Sequence, residues 1–131
     1  IRLIYKKLFN GIRTKIKTMK IYHNPKCSKS RQTLTLINER NKEVEIIEYL
    51  KKPPGFDDLK MILIMLSISP ADLVRKNEDI WKENYKGKDL KDDEIIQAMV
   101  DHPKLIERPI VINGTKAIIG RPPENVLKIM D

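Results

Sequence analysis

The pattern of apolar and polar positions predicts a strand, a helix and a second strand at the start of the folded part of the chain. Residues 20–23 (KIYH) fit a short strand that ends at Asn24-Pro25, because proline fixes φ and disfavours helix at the residue before it. A helix is expected from about 27 to 40, and residues 44–49 (VEIIEY) fit a second strand. Strand, helix and strand within about thirty residues form a βαβ unit, so the two strands should be parallel.

Helical periodicity then runs through the middle of the chain. After a break at 51–55 (KKPPG), residues 56–66 fit a helix, and residues 69–104 are expected to be helical throughout. Asn113-Gly114 separates two β-rich runs, which is typical of a type I′ hairpin, and Pro122-Pro123 starts a last helix. This order of elements predicts a mixed α/β fold with a sheet of about four strands.

Composition and charge fit one ordinary domain and exclude two classes of function. The chain has 131 residues, 40% of them hydrophobic, and no stretch approaches the roughly 20 apolar residues of a membrane span. The net charge is +8, but residues 1–18 supply six of these charges and contain no acid. Residues 19–131 are nearly balanced, and 5% aromatics leave few rings for base stacking. We therefore expect neither a membrane span nor a nucleic-acid site.

The basic segment 1–18 admits more than one interpretation. Because it is basic and free of acids, it could lie on a membrane surface or act as a transit peptide. The abrupt change of composition at Met19 favours a simpler explanation, in which Met19 is the natural start and 1–18 is an upstream or artificial extension. We expect residues 19–131 to form the domain and 1–18 to lie outside its fold.

Cys27 is the first candidate for chemistry. It follows the first predicted strand at the start of the first predicted helix, and open α/β sheets bind ligands at the carboxyl ends of their parallel strands. The unpaired N–H groups of a first helical turn bind anions and stabilise a thiolate, the reactive form of cysteine. A buried structural cysteine is the alternative, but the polar run 26–30 (KCSKS) does not favour it.

The helix terminus alone cannot ionise this thiol at neutral pH. It contributes about 0.3–1 kcal/mol, whereas a shift of one pKa unit requires about 1.36 kcal/mol. Further positive charge is needed, and the candidates nearby in sequence are Lys26, Lys29, Arg31 and His23. The chain has a single cysteine, which suits a reducing, cytoplasmic setting. Redox chemistry at Cys27 must therefore recruit a thiol from outside the chain.

Two arginines are expected to meet at one site. With Asn113-Gly114 as the turn of an ideal hairpin, Arg108 lies opposite Ile119, and Arg121, two residues further on, shares a face with Arg108. The planar, permanently charged guanidinium suits a tetrahedral oxyanion. Either arginine alone could be a solvated surface charge, but their pairing favours an anion site.

The remaining candidates have weaker support from local sequence. Arg75 is locally an ordinary charged residue on a predicted helix. His23 either tunes Cys27 or simply ends a strand, and His102, which precedes Pro103 at a helix end, fits a structural role. One cysteine and two well-separated histidines do not have the spacing of metal ligands, so no metal site is expected.

Together these motifs resemble the glutaredoxin-coupled arsenate reductase family. Residues 23–31 (HNPKCSKSR) resemble its active-site loop, and residues 49–54 (YLKKPP) also match. Its three arginine-bearing motifs are similar, in order, to 75–77 (RKN), 107–111 (ERPIV) and 120–124 (GRPPE). Each motif alone is weak, but the ordered set is specific. The resemblance covers essentially all of 19–131 and leaves out 1–18.

The resemblance implies a fold and a set of site residues. The fold is a thioredoxin-like four-stranded mixed sheet with a helical insertion, here roughly 56–104, between the second and third strands. The peptide bond Arg108-Pro109 would be cis, although the general frequency for X-Pro bonds is only about 5–6%. Cys27 would be the nucleophile. The oxyanion would be bound by Arg75, Arg108 and Arg121, with support from His23, Ser30 and Pro109.

The resemblance also implies a mechanism. The Cys27 thiolate would attack arsenate and form a thioester-like adduct, which glutathione would displace. Glutaredoxin would resolve the resulting mixed disulfide, and arsenite would be released. His23 and Ser30 would help to keep Cys27 ionised. We expect a cytoplasmic, monomeric enzyme with no bound cofactor and with glutathione as a co-substrate.

Two other functions within the same superfamily remain open. One is a glutathione-dependent thiol reductase of another substrate, although a thiol-exchange site does not require a third cation such as Arg121. The other is an Spx-type regulator, a non-enzyme that binds RNA polymerase and senses oxidation. Such regulators typically carry a Cys-x-x-Cys switch, whereas the second position here is Ser30.

Overall fold

The computed structural model of the protein describes residues 19–130; the predicted extension 1–18 and Asp131 lie outside the described residues. One sheet contains the strands β1 (Met19–His23), β2 (Val44–Glu48), β3 (Ile110–Asn113) and β4 (Lys116–Ile119). Their order across the sheet is β2-β1-β3-β4. β1 pairs with β2 in parallel, whereas β3 pairs antiparallel with both β1 and β4. The predicted βαβ unit and the mixed four-stranded sheet are confirmed.

Helices fill the connections between these strands. α1 (Ser28–Glu39) links β1 to β2. Between β2 and β3 lie α2 (Phe56–Leu66), α3 (Pro70–Leu73), α4 (Asp79–Asn84), α5 (Asp92–Asp101) and a 3₁₀ helix (Pro103–Leu105). The last helix of the chain is also 3₁₀ (Pro123–Ile129). The predicted helical insertion between the second and third strands is confirmed. Within residues 19–130, no helix is both long and apolar enough to cross a membrane.

The prediction that residues 69–104 are helical throughout is wrong. The chain leaves the helical conformation after α3, where Val74 forms an isolated antiparallel bridge with Ile106. The N–H of Arg75 donates to the carbonyl of Leu105 at 2.7 Å. Backbone hydrogen bonds to a distant segment therefore replace the bonds that would continue α3. In place of one continuous helix, the segment contains three separate α-helices and a 3₁₀ helix.

The β3–β4 hairpin also differs from its prediction. Asn113 pairs with Lys116, so the two turn residues are Gly114 and Thr115. Gly114 has a positive φ of 65°, which suits the first central position of a type II′ turn. A type I′ turn would require positive φ at both central residues. The predicted type I′ turn at Asn113-Gly114 is therefore wrong, because Asn113 belongs to the strand.

The change of register leaves both arginines on one face of the hairpin. Ile110 pairs with Ile119, so Arg108 falls opposite Arg121 and not opposite Ile119 as predicted. Because side chains along a strand alternate with a period of two, a two-residue change in pairing keeps the same face. The expectation that Arg108 and Arg121 share one face therefore still holds, although the turn was predicted one residue too early.

The central strands separate two apolar clusters. On one face of β3, Ile110 and Ile112 pack with buried residues of the insertion, including Leu59, Leu73, Met99 and Leu105. On the other face, Val111 packs with Ile21 of β1, Ile37 of α1 and Val126 of the last helix. Both faces of the central strands are therefore covered, and Cys27 lies beyond the carboxyl end of β1.

The end of the hairpin packs tightly against α1 through Gly120. The N–H of Gly120 donates to the carbonyl of Pro109 at 2.9 Å. The hydroxyl of buried Thr33 lies 2.8 Å from the Lys29 carbonyl oxygen and 3.3 Å from the Gly120 carbonyl oxygen, so the two carbonyls share this donor. A Cβ on Gly120 would lie 2.5 Å from Thr33 Oγ1 and 2.9 Å from Pro109 Cγ. Only glycine permits this approach, which carries the next residue, Arg121, to the start of α1.

We expect Gly120→Ala to lower the free energy of unfolding by about 1–3 kcal/mol, because the added methyl overlaps buried atoms. Urea denaturation monitored by circular dichroism measures the change. The matched background is Thr33→Ala, which removes both side-chain atoms that the methyl would strike on α1. Gly120→Ala should be clearly less destabilising there. An equal loss in both backgrounds would contradict the steric explanation.

Candidate active site

Cys27 lies between β1 and α1, as predicted, and is the N-cap residue of α1 with φ −94° and ψ 124°. A tight loop holds it there. The N–H of Cys27 donates to the carbonyl of Asn24 at 3.0 Å, and the N–H of Lys26 donates to Asn24 Oδ1 at 3.0 Å. The Cys27 carbonyl accepts the N–H of Arg31, also at 3.0 Å, in the first turn of the helix. The thiol is free and partly exposed.

The surroundings of Cys27 favour the thiolate. Burial by itself raises the pKa of the Cys27 thiol, but the backbone N–H of Ser30, the Arg108 guanidinium and the backbone N–H of Lys29 lower it, and the pKa lies below its ordinary value. Backbone donors from the helix and a nearby cation therefore act together. We expected the helix terminus to need additional positive charge. Arg108, which is distant in sequence, supplies that charge.

Arg121 and Arg108 meet at the sulfur from the open end of the hairpin. Arg121 Nη1 lies 3.8 Å from Cys27 Sγ and 3.3 Å from the carbonyl oxygen of Arg108. Each arginine precedes a proline, and the peptide bonds Arg108-Pro109 and Arg121-Pro122 are both cis. The first cis bond was implied by the family resemblance, whereas the second was not expected. Both guanidiniums therefore lie beside the sulfur.

Two arginine nitrogens in this part of the molecule are buried without a partner. Arg108 Nε and Arg75 Nη1 have no hydrogen-bond partner among residues 19–130. Arg75 Nη2 pairs with Glu78 at 3.4 Å, and only 14% of the Arg75 side chain is exposed. No hydrogen bond within the described part of the chain joins Arg75 to Cys27. The structure thus brings Arg108 and Arg121 to the sulfur and leaves Arg75 with its own acidic partner.

His23 and Ser30, the two polar residues expected to support Cys27, are hydrogen-bonded to each other. His23 Nδ1 lies 2.6 Å from Ser30 Oγ, and the backbone N–H of Asn24 donates to the same hydroxyl at 3.0 Å. Both side chains are buried. The hydroxyl of Ser30 therefore ties the loop after β1 to the first turn of α1.

His23 does not act on Cys27 through a positive charge at neutral pH. Burial lowers the pKa of His23; the Glu48 carboxylate raises it, the Arg31 guanidinium lowers it, and the net shift is downward. The imidazole is therefore neutral near pH 7. Its contribution is the hydrogen bond to Ser30, whose backbone N–H faces the sulfur.

Tyr49 belongs to the site, although its sequence signal was only a family match. It is 2% exposed, and burial raises the pKa of Tyr49 to about 12. The other groups that act on this pKa are Arg108 and Asn24, which lower it, and Cys27 and Glu107, which raise it. Parallel pairing of β1 and β2 explains the placement, because the residues that follow two parallel neighbours share one edge of the sheet.

Glu107 is a second residue whose only sequence signal was its place in a family motif, 107–111. Its Oε1 accepts the backbone N–H of Arg108 at 3.1 Å and lies 3.7 Å from Arg121 Nε. Consecutive side chains of a strand point to opposite faces, so adjacency to Arg108 does not predict a shared site. The contact depends on the course of the chain at the hairpin end.

The chemistry available at this site is that of a thiolate beside permanent cations. Residues 19–130 contain no group of three or more His, Cys, Asp or Glu side chains that could hold a metal ion. A thiolate with two guanidiniums can attack an electrophilic centre that carries negative oxygens, because the guanidiniums offset the repulsion between two anions.

Comparison with known proteins identifies the family of this chain. Residues 22–129 match the ArsC family. The chain is 45% identical to an arsenate reductase of Haemophilus influenzae over 84% of this chain and 97% of that protein. It is 50% identical to YfgD of Escherichia coli K12, an uncharacterized protein, over 87% of this chain and 98% of that protein.

A solved structure extends the comparison to the fold. The arsenate reductase from Vibrio cholerae superposes with a TM-score of 0.82 at 44% identity, covering 85% of this chain and 96% of that one. This similarity confirms the predicted thioredoxin-like α/β class. Since the family match spans most of the chain and includes Cys27 and all three arginines, this chain belongs to the ArsC family.

Proposed function

We propose that this protein is a thiol-dependent arsenate reductase with Cys27 as its nucleophile. The observation that carries the proposal is the approach of Arg121 Nη1 to 3.8 Å from Cys27 Sγ, beside Arg108, in an ArsC-family chain. A thiolate with two guanidiniums suits a tetrahedral oxyanion better than it suits a neutral disulfide, which carries no charge for the arginines to bind.

The unpartnered arginine nitrogens support an anion as the missing partner. Arg108 Nε is buried next to the thiol and lacks an acceptor among residues 19–130. A buried donor left without an acceptor costs about 1–3 kcal/mol, and an oxygen of bound arsenate would remove that cost. We assign the same role to Arg75 Nη1, which makes Arg75 the third oxyanion ligand. In this proposal the Arg75 guanidinium leaves Glu78 and binds the substrate.

The proposed reaction begins with attack of the Cys27 thiolate on arsenic. A sulfur–arsenic bond forms and one arsenate oxygen leaves as water after protonation. Arg108 and Arg121 neutralise the remaining oxygens, while the N–H groups of the first turn of α1 face the sulfur. Arsenic is still pentavalent at this stage.

Reduction requires an external thiol, since Cys27 is the single cysteine of the chain. We propose glutathione for this role. Its thiolate attacks Cys27 Sγ, the sulfur–arsenic electron pair passes to arsenic, and trivalent arsenite leaves. The two thiols are thereby oxidised to a mixed disulfide, from which glutaredoxin regenerates the Cys27 thiolate. These reductants, and the single reactive thiol, fit a monomer working in the cytoplasm.

Arsenate-dependent consumption of NADPH, coupled through glutathione, glutaredoxin and glutathione reductase, tests the proposed activity. We expect turnover by the full chain and none by Cys27→Ser. Arg121→Ala should lower kcat/KM about 10- to 100-fold, the value of one or two charge-assisted contacts. The matched control is Arg40→Ala, which removes an exposed guanidinium beyond the end of α1.

Absence of arsenate-dependent turnover, with Cys27 still reactive towards glutathionylated substrates, would instead identify a general thiol reductase. Equal losses in Arg121→Ala and Arg40→Ala would contradict the assignment of Arg121 to the oxyanion.

The reactivity of Cys27 should depend on pH in a defined direction. Because the pKa of the folded thiol is lowered, the thiolate persists to lower pH in the folded chain than in the unfolded chain. We expect the midpoint of the iodoacetamide alkylation rate against pH to lie lower for the folded protein than for the protein in urea. Arg108→Ala should move the folded midpoint upward. A folded midpoint at or above the unfolded one would contradict the proposed activation.

A further inference from the structure

Glu107 makes two contacts through one carboxylate oxygen, and they reach both arms of the hairpin. Oε1 accepts the backbone N–H of Arg108 at 3.1 Å and lies 3.7 Å from Arg121 Nε. The oxygen therefore joins the residue that begins one arm to the residue that ends the other. The Glu107 side chain is 30% exposed and that of Arg121 is 38% exposed, so the ion pair lies at the rim of the site.

The backbone of Glu107 is anchored to the segment that carries Arg75. The N–H of Glu107 donates to the carbonyl of Leu73 at 3.0 Å, and the N–H of Arg75 donates to the carbonyl of Leu105 at 2.7 Å. These bonds flank the bridge between Val74 and Ile106. Glu107 is thus fixed in place by main-chain bonds, while its carboxylate remains available to hold side chains.

Arg121 needs such a restraint. A long, partly exposed arginine loses rotamer entropy when it is held in one geometry, and its contact with Cys27 Sγ is long at 3.8 Å. The Glu107 carboxylate forms an ion pair with Arg121 Nε at 3.7 Å, and the Arg108 carbonyl accepts a hydrogen bond from Nη1 at 3.3 Å. These two contacts restrain the orientation of the guanidinium before any substrate binds.

A carboxylate beside an anion site also has an electrostatic cost. It opposes both a thiolate and an oxyanion, since like charges disfavour each other at short range. The charge of Glu107 is felt within the site, because it contributes to the raised pKa of Tyr49. A carboxylate at this position favours the site overall only if the gain from holding Arg121 in place exceeds this repulsion.

We propose that Glu107 is a positioning residue that holds the Arg121 guanidinium against Cys27 in the substrate-free site. The inference rests on the proposed function, in which Arg121 binds the oxyanion. Glu107 itself touches neither sulfur nor substrate; it acts through Arg121.

Two variants separate position from charge. Glu107→Gln and Glu107→Ala remove the same charge, but only glutamine keeps an acceptor oxygen within reach of Arg108 N–H and Arg121 Nε. If Glu107 positions Arg121, KM for arsenate should be about three- to tenfold higher in the alanine variant than in the glutamine variant, with a smaller change in kcat. The Cys27 pKa, from alkylation against pH, should also be higher in the alanine variant.

A background variant shows whether the effect passes through Arg121. In Arg121→Ala, the alanine and glutamine substitutions at Glu107 should give equal Cys27 pKa values, because the residue to be positioned is absent. Glu83→Ala, which removes an exposed carboxylate on α4, controls for loss of charge elsewhere. Circular dichroism and urea denaturation identify a variant whose fold has changed. If the alanine variant is affected, Glu107→Asp, which keeps the charge on a carboxylate one methylene shorter, is compared with the wild-type chain, and a higher KM and a higher Cys27 pKa are again expected.

The outcomes distinguish the two hypotheses. Equal KM and equal Cys27 pKa in the alanine and glutamine variants would overturn the positioning role while leaving arsenate reduction intact. If the wild-type chain did not reduce arsenate, the proposed function would be wrong. The Cys27 pKa would still decide the positioning role, because that measurement needs no substrate.

Discussion

Gly120 and Thr33 touch across the junction of the β3–β4 hairpin and α1, and the rest of the site is arranged around that contact. Arg121 directly follows Gly120, and Cys27 caps the helix that carries Thr33. The backbone therefore brings the start of the Arg121 side chain near the sulfur, and the contacts of its guanidinium with Glu107 and the Arg108 carbonyl hold it there. A long side chain such as arginine can be used accurately only when the chain that bears it is fixed so closely to its target.

The electrostatics of Cys27 depend on contributions from separate parts of the chain. Local structure supplies the N–H groups of Lys29 and Ser30, and the hairpin supplies Arg108. Burial opposes both, because it disfavours the charged form of a thiol. The same burial makes each remaining donor more effective, since the surrounding dielectric is lower than that of water. Partial burial is thus a compromise between reactivity and the strength of anion binding.

Most of the fold could be predicted from the sequence because its signals are local. Period-two alternation, helical periodicity and proline breaks identify the strands and their order, and the face shared by Arg108 and Arg121 follows from strand parity. The prediction of continuous helix over 69–104 was wrong because Val74 pairs with a segment that is distant in sequence. The contacts of Glu107 depend on one side-chain conformation at the end of a hairpin, which no spacing of residue types encodes.

Pro109 has a consequence for how the sheet is joined to the helix. In the extended ladder Pro109 faces Gly120, whose N–H donates to the proline carbonyl. The reciprocal bond cannot form, because proline has no N–H. The Gly120 carbonyl is thereby left without its strand partner, and the Thr33 hydroxyl of α1 lies within hydrogen-bonding distance of it. The missing donor in the sheet thus leaves a carbonyl open to the helix that presents Cys27, and this carbonyl shares the Thr33 hydroxyl with the Lys29 carbonyl of that helix.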